Sequence, residues 1–201
     1  MVAGTQGYEK VIELFTEVSF KLKFEEINKD FLAYLPPTPS RALDAGCGVG
    51  QNSAALAKLG YDVVAVDPMR GFLDKAISNY QGLNVNWVND SLPDLASLNV
   101  DDGLFNFILL DGVWHHLNTE ERKKCIKRFS SLMFNGGICA ISLRNGPAGA
   151  GKHIFPTSCT ELFSCAQDFG FKVIFHTDNQ PSVMPNKENV TWARVALQKI
   201  A

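Results

Sequence analysis

The sequence predicts an α/β fold, and three observations predict it. Apolar runs that end in a carboxylate recur along the first half of the chain: Ala42-Leu-Asp44, Tyr61 to Asp67 (YDVVAVD) and Leu83 to Asp90 (LNVNWVND). Each reads as a strand, the second as one buried in a parallel sheet. Helical patterns alternate with these runs, over residues 51–59 (QNSAALAKL), 71–79, 92–98, 118–133 and 158–170. A glycine loop, Gly46, Gly48 and Gly50, joins the first strand to the first of these helices, as in a βαβ unit.

Residues 7–35 carry helical periodicity. Val11, Leu14, Phe15 and Val18 share one face and Phe24, Ile27, Phe31, Leu32 and Leu35 another, before Pro36, Pro37 and Pro39 end the run. The glycine loop follows. Glycine permits the positive φ of a tight turn and lets a ligand lie against bare backbone. A loop that opens a helix also directs free N–H groups at whatever sits there. This is the chemistry of a nucleotide-type cofactor site. The dinucleotide fingerprint G-x-G-x-x-G would put its third glycine where this chain has Gln51. Asp44, just before the loop, faces a pyrophosphate poorly and suits a cationic ligand.

Asp67 stands 21 positions after Gly46. A carboxylate there can accept both hydroxyls of a ribose, with Pro68 and Met69 covering an adenine; it can equally cap the next helix. Asp90 can accept an adenine amino group while the Ser91 N–H donates to a ring nitrogen, or either residue can cap a helix over 92–98. Phe105 to Asp111 (FNFILLD) is a fourth strand, followed by Gly112-Val-Trp-His-His-Leu117. Asn118 and Glu121 form a capping box for a helix through Met133, with Cys125, Phe129 and Met133 on its buried face. After the turn Asn135-Gly-Gly137 comes a fifth strand over 138–143. Arg144 then opens a glycine-rich loop, where it can grip a carboxylate or phosphate or form a surface ion pair. Ser158 and Glu161 make a second capping box. The strands 171–176 and 190–199 pair antiparallel, because a connection holding Pro181, Pro185 and Asn186 is too short for a crossover helix.

The run from Asp44, D-x-G-x-G-x-G, resembles motif I of the class I S-adenosylmethionine (SAM) methyltransferases. Asp67 resembles that family's acidic residue after strand 2, and Asp90-Ser-Leu-Pro93 its adenine-contacting segment after strand 3. Residues 105–117 resemble the F-D-x-V-x-x-x-x-V-x-H-H-L stretch of small-molecule methyltransferases, including the ubiquinone and menaquinone group, although Asn106 replaces the usual Asp and Asn135 the usual Pro. The resemblance runs from about Leu35 to the C-terminus. It implies a single domain, 1–201, with a Rossmann-like three-layer sandwich: seven strands, mostly parallel, in the order 3-2-1-4-5-7-6, the last antiparallel. A helical cap over about 1–36 would enclose the site, with Phe15, Phe20 and Phe24 as lid residues or simple core aromatics. Asp44, Gly46, Gly48 and Gly50 would hold the methionine end of SAM. Asp67, Pro68, Met69, Asp90, Ser91 and Asp111 would complete the cofactor wall. His115, His116 and Arg144 would face the transferred methyl group. Either histidine can serve as a general base or as a packing and orienting residue. The product is S-adenosylhomocysteine (SAH).

The remaining features bound the function. A net charge of −2 without a basic run advertises no nucleic-acid surface. No signal peptide and no apolar run near the ~20 residues of a membrane span is visible, so a cytoplasmic monomer or homodimer acting on a small molecule is expected. Five cysteines without a C-x-x-C pair argue for reduced thiols and against zinc. NAD(P)-dependent oxidoreduction is the alternative enzyme class, weakened because none of the four tyrosines has Lys four positions on. A SAM-binding regulator without catalysis is a third reading.

Overall fold

The computed structural model describes residues 2–182 and 187–200. Its centre is a seven-stranded sheet built from β1 (Arg41–Ala45), β2 (Asp62–Val66), β3 (Val85–Val88), β4 (Phe105–Leu110), β5 (Met133–Asn145), β6 (Phe171–Pro181) and β7 (Thr191–Lys199), in the order β3-β2-β1-β4-β5-β7-β6. β1 to β5 run parallel, and β7 is antiparallel to both β5 and β6. This is the predicted order. Pro185 and Asn186, part of the predicted β6–β7 connection, lie outside the described residues.

The alternation of side chains along each strand builds two cores. Leu43, Val64, Ile108, Leu110 and Ile141 point to one face, where α5 (Thr119–Leu132) brings Cys125 and Phe129, and α6 (Cys159–Asp168) brings Leu162. Ala42, Val63, Phe107, Leu109 and Ala140 point to the other, under Leu56 of α3 (Gln51–Lys58) and under Phe24 and Phe31. Both faces of the parallel strands are covered, which is why their sequences read as continuous apolar runs. The capping box of Asn118 and Glu121 forms in full. Only half of the second forms: Ser158 accepts the Glu161 N–H, while the Glu161 carboxylate pairs with the buried Arg122 at 2.8 Å.

Three expectations are corrected. The N-terminal run is not one helix: α1 (Ile12–Phe20) and a single turn, α2 (Phe24–Ile27), are separated at Lys21–Lys23, and 3-10 turns occupy Tyr8–Lys10 and Lys29–Tyr34. No side chain caps any of these pieces, so their paths follow packing. No helix forms over 92–98. Asp90 competes for its backbone, accepting the N–H groups of Ser91 and Ser97 at 2.7 Å each, and Leu95 adopts φ 46°. Leu92, Leu95 and Leu98 still reach the core. Lastly, β5 begins at Met133, ten residues before Leu143, and absorbs the Asn135-Gly-Gly137 turn as a shift in its register with β4.

Gly50 illustrates how tightly α4 (Arg70–Asn79) and β3 close on the loop. It caps α3 at φ 81°, and a Cβ there would stand 2.5 Å from Trp87 and 3.0 Å from Ala76. Gly82 has a similar φ, 83°, but open space around it. Gly50→Ala is expected to cost about 1–3 kcal/mol more than Gly82→Ala in urea unfolding, the range of an overpacked site. Equal losses would mean that only backbone strain acts at both positions.

Candidate active site

The carboxyl ends of β1, β2, β4 and β5 and the amino end of antiparallel β7 open into one cavity of about 670 Å³, roofed by the N-terminal segment. This is where parallel sheets bind ligands, and the volume suits a small molecule. Its first wall is the glycine loop. Gly46 turns at φ 80° under Val113, where a Cβ would clash at 2.5 Å, and Gly48 turns at φ 55° with its Cα side facing Phe15. Asp67 ties the loop down, accepting Gly48 N–H at 2.9 Å through one oxygen and Met69 N–H at 2.7 Å through the other. Asp67 lines the cavity, as do Pro68, Met69, Asp90, Ser91 and Asp111. Burial raises the Asp67 carboxyl to about 6 against those two donors.

Asp44 and Gly50 do not line the cavity. Asp44 is 1% exposed behind the loop and accepts the Ser53 hydroxyl at 2.5 Å. Burial pushes its carboxyl to about 7, with the charges of Asp111 and Asp67 adding to the rise. Ser91 lines the site, yet its N–H is already held by Asp90. Behind this wall Asn28 donates to Asn52 at 3.1 Å and Asn52 to Asp111 at 3.4 Å, linking the N-terminal segment to the end of β4. Of the aromatic lid candidates only Phe15 reaches the cavity: Phe24 is buried in the sheet core, and Phe20 packs edge-on against Tyr80.

The second wall grows from the turn Trp114–His116. Trp114 is fully buried with Arg122 over its ring at 5.6 Å, and Leu117 is buried too, so the two histidines between them have little freedom. Both line the cavity. His116 Nδ1 lies 2.7 Å from the His153 carbonyl and therefore carries the proton, leaving Nε2 to accept from the Tyr8 hydroxyl at 3.2 Å. Burial lowers the His116 pKa, the Arg144 charge adds to this, and the His153 carbonyl opposes it. Burial takes His115 down to about 2, so its ring stays neutral. Tyr8 also packs edge-on against Phe15 and Phe72, and burial raises its phenol.

Sequence reasoning missed Tyr8 and Arg194. Tyr8 meets His116 across 108 positions of chain, which no local pattern signals. Arg194 does leave a trace, a charge inside the apolar strand Thr-Trp-Ala-Arg-Val-Ala-Leu. It is 8% exposed, stacks on Trp192 at 4.9 Å and lines the same cavity as Arg144.

Comparison with known proteins places this architecture. Residues 42–137 match the family described as a methyltransferase domain. Over 104 residues the chain is 31% identical to a Haemophilus influenzae protein named a probable S-adenosyl-L-methionine-dependent methyltransferase TehB; the match covers 52% of this chain and 36% of that one. The chain thus spans about a third of the length of that relative. A Burkholderia thailandensis 1,6-didemethyltoxoflavin-N1-methyltransferase, solved with that compound and SAH, superposes with a TM-score of 0.75 at 18% identity, over 99% of this chain and 88% of that one. A TehB-like SAM-dependent methyltransferase from Corynebacterium glutamicum superposes at 0.67 with 19% identity, over 97% and 98% of the two chains. Residues 42–137, which hold the glycine loop and the acidic strand ends, thus carry a methyltransferase domain, and the chain as a whole shares the fold of SAM-dependent methyltransferases.

Proposed function

We propose that the protein transfers the methyl group of SAM to a small-molecule acceptor, leaving SAH. The observation that carries this reading is the Asp67 carboxylate, locked to Gly48 and Met69 in the wall of the cavity at the end of β2. That arrangement suits a ribose diol. The fit extends along the wall: the Gln51 side-chain oxygen is buried without a partner beside the loop, an acceptor awaiting a donor such as an ammonium group. Asp90, Leu92 and Met69 border the space left for an adenine.

Bound SAM supplies an electrophilic methyl on a sulfonium. The chain's own task is alignment and proton handling, and holding two reactants in line removes several kcal/mol of barrier. Phe15 and Phe72, stacked with centroids 4.8 Å apart, keep water from the loop. Both nitrogens of His116 are occupied by protein groups, so His116 takes a proton through Tyr8: the Tyr8 oxygen accepts the acceptor's proton and passes its own to Nε2. Burial keeps His116 neutral, the form that can accept. A weak base suffices, because an oxygen or nitrogen becomes far more acidic as it gains a methyl group. His115 holds the turn in place.

Calorimetric titration with SAM, SAH and NAD tests the reading. SAM and SAH should bind and NAD should not; a preference for NAD would sink it. The pH dependence follows from Asp67. In the free protein its pKa is about 6, above the ordinary value for aspartate. Ribose hydroxyls and the positive charge of SAM favour the ionised carboxylate and lower that pKa. Binding at pH 6 should therefore release protons, and affinity should rise from pH 5 to 7, by up to about tenfold per unit for one group. Heats measured in two buffers of different ionisation enthalpy report the proton count, and a count of zero at pH 6 would remove Asp67 from the contact.

A further inference from the structure

The cavity's charge is divided. Its cofactor end carries Asp67 and Asp111, and its other end carries Arg144 and Arg194, with Lys187 nearby on the same lining. In the β5–β7 ladder Arg144 stands opposite Trp192 and Arg194 opposite Ser142, which puts both arginines on one face as diagonal neighbours. Their exposures are 9% and 8%. Buried guanidinium groups ordinarily have a carboxylate partner, since an unpaired buried charge is costly. Among the described residues neither has one. Arg144 donates to the Pro147 carbonyl at 2.7 Å, and Arg194 reaches only the Ile27 carbonyl at 3.5 Å. Arg194 Nη1 is buried with no hydrogen-bond partner among the described residues. Glu26 and Asp30 line the cavity too, but Glu26 is paired with Lys23 at 3.0 Å and Asp30 forms no ion pair with either arginine.

From this we infer that the methyl acceptor carries an oxyanion, a carboxylate or a phosphate, held by Arg144 and Arg194 on the β5–β7 face of the cavity. The inference deepens the methyltransferase reading and rests on it for the identity of the other ligand. A planar fork of donors matches an oxyanion with two parallel hydrogen bonds. The Arg194 nitrogen without a partner is the donor such a group would complete. Arg144 stands on β5, next to β4, and Arg194 on β7 beyond it, whereas Asp67 follows β2 on the other side of β1, so the anion would anchor the acceptor beside Tyr8 and His116 without competing for the cofactor wall.

The test is calorimetry on the full chain, first with SAH alone and then with benzoate, phenyl phosphate and uncharged benzamide added to the SAH complex. At least one anion should bind, more than tenfold tighter than benzamide, and which one binds tells carboxylate from phosphate. Arg194→Gln and Arg144→Gln should each weaken that anion at least tenfold while SAH affinity stays within twofold. Arg194→Lys, which keeps the charge and loses the fork, should fall between. Two variants guard against one failing to fold, checked by circular dichroism. The proposal is overturned if neither anion binds, if benzamide binds equally well, or if the glutamine variants keep the anion. It is also overturned if those variants lose SAH instead, which would assign the arginines to the cofactor's own carboxylate. Failure of SAH to bind the unaltered protein would count against the methyltransferase reading alone, and anion binding without SAH would still decide this one.

Discussion

Exchanging Tyr8 for phenylalanine should lower kcat by about 10²–10⁴-fold, the range for loss of a positioned acid–base group. SAM affinity should hold, because Tyr8 touches the cofactor wall only through the ring contacts with Phe15 and Phe72 that phenylalanine retains. His116→Gln should act in the same direction. A histidine relay also makes a pH signature. Neutral His116 is the competent form, so kcat falls as pH drops through its lowered pKa, and that acid limb should flatten in both variants. The measurement is SAH formed per enzyme against pH, with the acceptor that supports turnover. Full activity in Tyr8→Phe would leave methyl transfer resting on alignment alone.

The second large effect is at Asp67. Asp67→Asn keeps an acceptor oxygen and the shape of the side chain but removes the charge that receives a ribose diol. Losing a charge-assisted hydrogen bond costs about 1.5–3 kcal/mol, or roughly 10- to 150-fold in the dissociation constant of SAM. Asp67→Ala should cost more than the ribose contact alone, because Gly48 N–H and Met69 N–H both lose their acceptor and the loop loses its tie to β2. Asparagine has one acceptor oxygen where Asp67 uses two, so the difference between the variants measures the one backbone bond that asparagine keeps. An unchanged dissociation constant in Asp67→Asn would withdraw the ribose assignment.

Legibility in the sequence followed the range of the interactions. Asp67 and the glycine loop were readable because strand end, turn and helix start are consecutive in the chain. The strand order came from the resemblance, and the structure has it. The helix expected over 92–98 failed because two side-chain acceptor bonds from Asp90 outweighed local propensity. For Phe20 and Phe24 the sequence left lid and core roles open, because periodicity places a side chain on a helix face but does not say what that face meets; Phe24 packs in the sheet core and Phe20 against Tyr80. His116 was visible as a residue, whereas its occupation by Tyr8 and His153 depends on contacts 108 and 37 positions away.

The cofactor wall and the proposed anion site also come from different parts of the chain. Gly46, Asp67, Asp90 and Asp111 fall within the segment 42–137 that matches the methyltransferase domain, whereas Tyr8, Arg144, Trp192 and Arg194 all fall outside it. Acceptor preference can therefore drift, or be engineered, while cofactor chemistry is inherited intact. Such a transplant has a condition. Tyr8 hangs on the roof and the arginines on the last strands, and the two are joined where Arg194 reaches the Ile27 carbonyl and Lys152 N–H the Gln6 carbonyl. A chimera that exchanges only one of these pieces would bring a roof and a floor shaped for different molecules, so the two must travel together.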